Sequence, residues 1–414
     1  MNKITPLQKK AILALDEINK VYQGKDVVLF FMAALVSESN VLLFSSPGKG
    51  KSHLSESSAT VLNTTYKRVQ GSPGLMEGHF NAKFNVGKLL KGEEEVEWRD
   101  FLKAKIKLFD EMSRVPPQTL AALHSILAEK TAFFGDESLK LEPFTFIAAM
   151  NPLDTGSFEL YNALIDRFDI SINIPSPHFK DKSNIFRSQV YRPKMILVPG
   201  DLDLIWKEVL SVSIPSSVKG VAFVISRDLQ LCIHGDKEFL TNFPSVCKGC
   251  RFQNYVCSQV TNSPSERLYI SALKVAQGLA YLRGKSSVEI VDLIDIMPHA
   301  LVHRLNLVPD IYRKNTTKLE SVTHILQDIL AKEEERKIPN LFMMKYADGD
   351  LSVKSKLDQF SMNDLLVKEN FSDLQADLAL KRSVAKKDDK TLNKDKLIAL
   401  QNEFSFSHDS NKLR

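Results

Sequence analysis

The sequence predicts an α/β protein in which a parallel-sheet core is followed by a smaller helical domain. In the first half of the chain, short apolar segments alternate with amphipathic stretches of helical length. This alternation is typical of a parallel sheet covered by helices. From about residue 198 onward, apolar strand-like segments become rare and helical periodicity dominates. The chain has 414 residues, of which 43% are hydrophobic, so it can bury more than one core.

The chain is predicted to begin with two helices, over residues 7–24 and 27–37, because apolar residues recur there at helical spacing. Residues 40–44 are almost continuously apolar, as a buried parallel strand is, and a helix is predicted to begin at Lys51. Similar apolar segments predict further strands at 66–69, 106–109, 144–149 and 170–174. Helical patterns predict further helices at 117–129, 265–282 and 287–305.

These elements divide the chain into four predicted parts. Residues 226–262 have mixed polarity and interrupt the helical pattern, so they are interpreted as an insertion. After about residue 335 the chain is rich in charge, which favours disorder. The parts are N-terminal helices at 1–38, the α/β core at 39–195, the helical domain with its insertion at 196–310, and a charged, partly disordered C-terminal region at 311–414.

Composition and charge narrow the class of protein. The 55 basic and 50 acidic side chains give a net charge of +5, a near balance that neither requires nor excludes nucleic acid. The N-terminus lacks the apolar core of a signal peptide, and the longest apolar run, 27–36, is about half the length of a membrane-spanning helix. A cytoplasmic protein without a membrane span is therefore expected, in which cysteines do not form disulfides.

A candidate phosphate-binding loop follows the strand at 40–44. Residues 45–52 read SSPGKGKS. In such a loop, glycines let backbone N–H groups face the phosphates, a lysine meets the β and γ phosphates, and a hydroxyl binds Mg²⁺. Ser45 departs from the pattern because a glycine usually opens the loop. The candidate nucleotide-binding residues are Pro47, Gly48, Lys49, Gly50, Lys51 and Ser52.

Polar side chains also follow two other predicted strands. Asp110 and Glu111 end the strand at 106–109, where ligands bind in parallel sheets. Asp110 is a candidate for the Mg²⁺ shell, and Glu111 is a candidate general base that polarises the attacking water. Asn151 follows the strand at 144–149 and could orient that water. The alternatives are solvated acids at a strand end and, for Asn151, a cap of the turn that follows it.

Several segments together resemble the AAA+ superfamily, and within it the MoxR branch. The resemblance covers about residues 20–310. It implies an AAA+ parallel-sheet nucleotide-binding core, a smaller helical lid domain, and hydrolysis of ATP with Mg²⁺. The segments that carry it are RVQGSPGL at 68–75, LFDEMSRVPP at 108–117, a hairpin-like segment at 130–143, and AAMNP at 148–152.

The resemblance also assigns roles to three residues. Asn151 matches the sensor-one asparagine, and Arg167 matches the arginine finger, which reaches the γ-phosphate of the neighbouring subunit. Arg267 matches the sensor-two arginine, which would contact phosphates from its own lid. A finger that acts on a neighbour implies a ring, usually a hexamer. Without the resemblance, Arg167 would be interpreted as a surface ion-pair partner of Asp166 or Asp169, and Arg267 as an ordinary arginine in a first helical turn.

All cysteines of the chain lie in the insertion, at Cys232, Cys247, Cys250 and Cys257. Four clustered thiolates that include a C-x2-C pair suit tetrahedral Zn²⁺ or a 4Fe-4S cluster. Zinc is favoured because structural zinc sites are the commoner of the two, and zinc would fold an insertion too small for its own core. The spacing of the last three cysteines is also similar to the iron–sulfur staple of some nucleases. Absence of a metal is the third alternative, and the insertion departs from the common MoxR pattern.

Three functions fit the sequence. MoxR relatives act as chaperone-like ATPases that remodel, mature or activate a client protein, often with a partner carrying a von Willebrand factor A domain, and metal-cofactor insertion is one typical task. The alternative of a nucleic-acid-acting AAA+ motor is favoured by the cysteine module and the slight positive charge. A binding scaffold, in which nucleotide only stabilises assembly, is kept open by Ser45.

Overall fold

The computed structural model centres on a five-stranded parallel sheet with the strand order β2-β5-β8-β1-β9. Its strands are β1 (Val41–Phe44), β2 (Tyr66–Gln70), β5 (Ile106–Asp110), β8 (Thr145–Met150) and β9 (Ile170–Asn173). The five predicted strands are therefore confirmed, with bounds that differ by one residue at most ends. The structure describes residues 4–22, 24–46, 48–151, 162–175, 191–229, 256, 259–309 and 317–333.

The sheet core is apolar because four of its strands are buried along almost their whole length. All five residues of β5 are buried, and β1 lies between β8 and β9, with Val41 opposite both Ile147 and Ile170. Phe109, Phe146 and their aromatic neighbours pack in the same cluster. Since all five strands run in one direction, their carboxyl ends meet at one edge of the sheet.

Two antiparallel pairs lie outside this sheet. The pair β6 (Thr131–Phe134) and β7 (Glu137–Lys140) is the hairpin expected at 130–143. The pair β3 (Ala82–Phe84) and β4 (Val96–Trp98) was not predicted, because its strands are three residues long and mix apolar with charged side chains. Short strands of this kind have no periodic signal in the sequence.

Each predicted helix that falls within the described residues is present, with small differences at its ends, and six further helices had no individual prediction. The first helix ends at Val21, three residues before the predicted end, because Tyr22 is extended. The helices are α1 (Pro6–Val21), α2 (Lys25–Val36), α3 (Lys51–Val61), α4 (Val86–Leu89), α5 (Asp100–Lys103), α6 (Pro117–Glu129), α7 (Asn162–Ile165), α8 (Asp201–Leu210), α9 (Ser216–Leu229), α10 (Arg267–Leu282), α11 (Ile290–Leu301) and α12 (Lys318–Glu333).

The chain divides into two compact units, the first formed by Met1–Ala222 with Pro264–Arg304. In this unit α10 packs closely on α2, where a Cβ at Gly278 would lie 2.2 Å from the carbonyl oxygen of Ala33. Nearby, the Trp206 side chain donates a 2.8 Å hydrogen bond to the Leu35 carbonyl.

The second unit consists of Phe223–Ser263 and Leu305–Arg414. Within it, Val260 and Leu307 form an antiparallel bridge, and α12 has buried apolar residues that include Ile325. The helix α12 falls in the region predicted to be charged and partly disordered, and α9 extends three residues beyond the predicted start of the insertion. No helix in the described part of the chain is long and apolar enough to cross a membrane.

Candidate nucleotide-binding site

The candidate phosphate loop leaves β1 and enters α3, with Lys51 and Ser52 in the first turn of the helix. Gly48 and Gly50 have φ values of 78° and 81°, a left-handed conformation in which a side chain would be strained. Backbone N–H groups at the start of a helix are not bonded within it, and they provide a ready site for phosphate. Pro47 lies outside the described residues.

Ser45 provides partners for the loop lysine. The Lys51 ammonium donates to the Ser45 carbonyl at 2.8 Å and to the Ser45 hydroxyl at 3.0 Å. Burial lowers the pKa of Lys51, and the nearby Asp110 and Glu111 act in the opposite direction. A glycine at position 45 would lack the hydroxyl, so the departure from the usual loop sequence adds a hydrogen bond for Lys51.

Tyr22 also packs on the loop, and it received no role from the sequence. Its hydroxyl donates to the Lys49 carbonyl at 3.1 Å, and a Cβ at Gly50 would lie 3.2 Å from its ring. Burial raises the pKa of Tyr22 to about 12, so the phenol stays protonated at neutral pH. This contact is made by a residue some 27 positions upstream of Lys49, a separation over which sequence periodicity gives no signal.

Asp110 and Glu111 lie at the carboxyl end of β5. The Ser52 hydroxyl donates to Asp110 Oδ2 at 2.7 Å, so the hydroxyl of the loop and the carboxylate converge on one point. Glu111 has φ 52° and ψ 42°, and its carboxylate forms a 3.0 Å ion pair with Arg114. The backbone N–H of Gly71 donates to the Asp110 carbonyl at 2.7 Å.

Gly71 allows β2 to approach this strand end. A Cβ at Gly71 would lie only 2.3 Å from the Glu111 carbonyl oxygen, which is far inside van der Waals contact. The candidate carboxylates are therefore supported from behind by a backbone that tolerates no side chain at this position.

The donor set at this point fits Mg²⁺. Mg²⁺ prefers oxygen ligands and is usually bound through one or two carboxylates together with substrate phosphates and waters. The Ser52 hydroxyl and the Asp110 carboxylate provide two such oxygens beside the loop. The residues that the structure describes contain no group of three or more His, Cys, Asp or Glu side chains that could hold a metal alone. The four cysteines lie outside the described residues.

Arg68 is a further residue at this site, and no role was predicted for it from the sequence. Its guanidinium Nη2 lies 2.7 Å from Asp110 Oδ2, the same oxygen that accepts from Ser52. The parallel register places Gln70 of β2 opposite Asp110, which brings Arg68 to the same face. Strand register is set by tertiary structure, so the sequence could not show this pair.

Asn151 lies at the same edge of the sheet as the phosphate loop. It directly follows β8, in which Met150 is opposite Phe44 of β1, and the Ser45 N–H donates to the Met150 carbonyl at 3.2 Å. The side chain of Asn151 is partly buried. The structure therefore places Asn151, Lys51 and Asp110 together at the carboxyl edge of the sheet.

Arg167 lies at the opposite end of the strands, where the amino end of β1 begins. Its carbonyl accepts from the Asn40 side chain at 3.3 Å, and the next-but-one residue, Asp169, donates from its backbone to the Asn40 carbonyl at 2.9 Å. Asn40 precedes β1, whereas Ser45 follows it, and five residues of strand span about 16 Å. The Arg167 backbone and the phosphate loop are thus separated by the length of β1.

Arg267 lies beside Arg167. It begins α10, and Ser265 just before it donates to both oxygens of Asp166 at 2.8 and 2.7 Å. Burial lowers the pKa of the Arg167 guanidinium, and the positive charge of Arg267 lowers it further. Burial also lowers the pKa of His124, and the positive charges of Arg167 and Arg267 lower it further. The structure therefore brings Arg267 near Arg167, and the sensor-two role that the resemblance implies for Arg267 stays a prediction.

A buried network fixes this region. The Arg304 guanidinium is almost fully buried, pairs with Asp166 at 3.0 Å and donates to the Phe168 carbonyl at 2.8 Å. Ser271 of α10 donates to Asp169 at 2.6 Å. The Arg167 side chain donates to the Ala163 carbonyl at 2.6 Å. Asp166 and Asp169 are thus hydrogen-bonded to Arg304, Ser265 and Ser271, which weakens the interpretation of Arg167 as an ordinary ion-pair partner.

Comparison with known proteins supports a relationship to a family of ATPases. Residues 40–168 match the family model of an AAA domain of the dynein-related subfamily. The chain is 27% identical over 330 residues to chaperone MoxR1 of Mycobacterium tuberculosis, covering 76% of this chain and 81% of the relative. It is 24% identical over 307 residues to protein MoxR of Methylorubrum extorquens, covering 71% and 86%.

The fold is also similar to a solved structure. A crystal structure of a candidate ATPase from Cytophaga hutchinsonii aligns with a TM-score of 0.63 at 22% sequence identity. The alignment covers 78% of this chain and 94% of the other. At this level of identity the similarity concerns the fold alone.

Proposed function

We propose that this chain is a MoxR-type AAA+ ATPase, which hydrolyses ATP and works as a ring that remodels, matures or activates a partner protein. One observation carries the ring: the phosphate loop and Arg167 lie at opposite edges of the sheet. An arginine side chain is much shorter than the roughly 16 Å that separate these edges. Arg167 therefore serves a nucleotide bound by a second copy of the chain.

Each subunit then contributes two kinds of residue. At its own site, the loop that includes Gly48, Lys49, Gly50 and Lys51 binds the phosphates, and Ser52 and Asp110 hold Mg²⁺, which supplies charge neutralisation on the phosphate oxygens. Two further residues at that edge act on water: Glu111 accepts its proton, and Asn151 orients it. To the neighbouring site, the subunit contributes the positive charges of Arg167 and Arg267.

The nearness of the two arginines supports a shared role. Arg267 raises the positive potential at Arg167, since it lowers the pKa of that guanidinium. A pair of cations held by the Asp166 and Arg304 network would be rigid and would act together on one γ-phosphate. We assign both arginines to the neighbour's nucleotide, which differs from a sensor-two role within the same subunit.

The wider organisation follows the family. We propose a nucleotide-binding core at 39–195, a helical lid at 196–310 and a ring of six subunits. The relative from Mycobacterium tuberculosis is named a chaperone, and this supports a client protein as the object of the ATP cycle. The proposed partner carries a von Willebrand factor A domain, and metal-cofactor insertion is the proposed task.

The cysteine cluster adds a proposed metal site. Cys232, Cys247, Cys250 and Cys257 would hold Zn²⁺, with a 4Fe-4S cluster as the alternative, and this proposal rests on their number and spacing. Elemental analysis of anaerobically purified protein, before and after Cys250→Ser, tests it. One zinc per chain that is lost in the variant supports the site, visible iron–sulfur absorbance selects the cluster, and protein free of both metals contradicts the proposal.

The function itself is tested by stimulation of ATP turnover. Phosphate release by the purified full-length chain is measured alone, with a purified von Willebrand factor A domain protein from the same genome, and with DNA or RNA. We expect the protein partner to raise turnover several-fold and nucleic acid to leave it unchanged. Stimulation by nucleic acid alone would contradict the proposal and favour a motor on DNA or RNA.

A further inference from the structure

Arg68 and Asp110 form an ion pair at the site proposed for Mg²⁺. The guanidinium Nη2 and the Ser52 hydroxyl both lie 2.7 Å from the same oxygen, Asp110 Oδ2. The other carboxylate oxygen, Oδ1, accepts from the Glu111 backbone N–H at 3.0 Å. Both oxygens of this carboxylate are thus engaged by protein donors.

The burial of the two partners differs. The Asp110 side chain is 7% exposed, whereas the Arg68 side chain is 45% exposed and reaches the carboxylate from the solvent side. The arginine also donates to the Gln70 side chain on the same strand. A charge as buried as that of Asp110 is costly without a counter-charge, so Arg68 supplies the neutralisation here. Because its own side chain is half-exposed, Arg68 can move away without disturbing the core.

A second ion pair and a lysine contact accompany this one. Glu111 pairs with Arg114 at 3.0 Å, and Lys51 is folded back onto the Ser45 carbonyl. Asp110, Glu111 and Lys51, which are expected to meet Mg²⁺, water and phosphate, are therefore each bound to another group of the protein. These contacts compete with the ligands of the proposed function.

We propose that Arg68 is a positioning residue that neutralises Asp110 before nucleotide binds and is displaced when Mg²⁺ binds, so that it sets the Mg²⁺ concentration at which the site loads. The inference rests on the proposed role of Asp110 as a ligand of Mg²⁺. The physical reason is that a guanidinium 2.7 Å from Oδ2 occupies the space that a divalent cation needs. It also neutralises the carboxylate charge that would attract the cation. Loading of the site therefore includes the cost of breaking this pair.

The experiment compares Arg68→Gln with Lys67→Gln. Lys67 is the adjacent residue of β2, and it pairs at 3.3 Å with Asp100, whose side chain is 70% exposed. Both variants remove one positive charge from the same strand, but only the first removes it from Asp110. The measurement is a Mg²⁺ titration of the binding of a fluorescent ADP analogue to the full-length protein.

We expect Arg68→Gln to lower the half-saturating Mg²⁺ concentration about fivefold, which is the size expected for a half-exposed ion pair. Lys67→Gln should leave it unchanged, and Arg68→Lys, which keeps the charge, should stay close to wild type. An unchanged or raised half-saturating concentration in Arg68→Gln would overturn the inference. Melting curves without nucleotide verify that the variants are folded.

Asp110→Asn separates a failure of this inference from a failure of the proposed function. If Asp110→Asn leaves the Mg²⁺ dependence unchanged, Asp110 is not a ligand, and the proposed function of this residue fails. If Asp110→Asn raises the half-saturating Mg²⁺ concentration but Arg68→Gln leaves it unchanged, only the role of Arg68 fails. In the Asp110→Asn background, Arg68→Gln should have no further effect because the ion pair is already lost.

Discussion

Glu111 is held in a conformation that is unusual for its residue type. Its φ of 52° and ψ of 42° lie in the left-handed region, which costs a residue with a Cβ about 1–2 kcal/mol. Strain of this kind persists where the surrounding structure fixes it, as Gly71 does here by packing directly on the Glu111 carbonyl. The strained backbone of Glu111 thus supports a role in which the position of its carboxylate is functionally important.

This geometry leads to a prediction for Glu111→Gln. The amide keeps the size of the side chain but cannot accept a proton from water, so kcat should fall about 10²–10⁴-fold while ATP affinity stays within about twofold. Steady-state phosphate release and equilibrium nucleotide binding measure the two effects. The control is Glu142→Gln, at an exposed position, which should keep wild-type turnover. Retained hydrolysis in Glu111→Gln would remove Glu111 as the general base.

Lys107 is a second unusual residue, in the middle of the core. It is 1% exposed, its ammonium lies 4.0 Å from the centre of the Phe144 ring, and it donates to the Ala104 carbonyl. Burial, with a smaller effect of Lys105, lowers the pKa of Lys107 to about 7. In the unfolded chain a lysine has a pKa of about 10.4.

The lowered pKa of Lys107 predicts a pH dependence of stability. Between about pH 7 and pH 10 the unfolded state binds more protons at this residue than the folded state, so the free energy of unfolding rises with pH in that window. Lys107→Met should flatten the rise, whereas Lys67→Met, at an exposed position of β2, should not. Urea unfolding at several pH values across the window measures this. Equal slopes for Lys107→Met and wild type would show that Lys107 does not carry the effect.

At the scale of elements, the close crossing of α2 and α10 depends on one glycine. A Cβ at Gly278 would lie 2.2 Å from the Ala33 carbonyl oxygen and 3.0 Å from the Ser37 Cβ. Gly278→Ala should therefore lower the free energy of unfolding by about 1–3 kcal/mol, although alanine favours a helix by about 1 kcal/mol. Gly78→Ala is the control, since its Cβ would meet no atom within 4 Å. Denaturant unfolding of both variants measures the difference, and a stabilised Gly278→Ala would contradict this packing.

The sequence predicted those elements whose burial leaves a pattern. The strands β1, β5 and β8 were visible because they are covered on both faces and therefore continuously apolar. The pair β3 and β4 was missed because three-residue strands with exposed side chains have no such pattern. Helix α12 was missed because a charged sequence surrounds its apolar stripe.

The candidate site was predictable to the same extent. The phosphate loop, Asp110, Glu111 and Asn151 follow strands, and strand ends can be read from the sequence. Arg68 was recognised only as part of a similar segment, because its partner is defined by the register of β2 against β5. The location of Arg267 beside Arg167 depends on how α10 packs, and a helical pattern alone does not give that.

At the scale of the whole molecule, the two edges of the sheet have different tasks in the proposed ring. One edge has Lys51, Ser52 and Asp110, and the other has Arg167 and Arg267. A subunit without Glu111 has a defective nucleotide site of its own. A subunit without Arg167 instead makes the nucleotide site of its neighbour defective. This asymmetry makes the shared site testable without a structure of the assembly.

The test mixes two inactive variants, Glu111→Gln and Arg167→Ala. Each alone should lose most of its turnover, for Arg167→Ala about 10³-fold or more, because the cation that stabilises the transferred phosphoryl group is missing. In a mixed ring, the intact loop and Glu111 of one variant face the intact Arg167 of the other, so phosphate release should return in proportion to such interfaces. The control mixes Glu111→Gln with a chain that carries both substitutions, which contains no complete site and should stay inactive. A mixture that stays as inactive as its components, although the two chains assemble together, would place Arg167 outside the catalytic site of the neighbouring subunit.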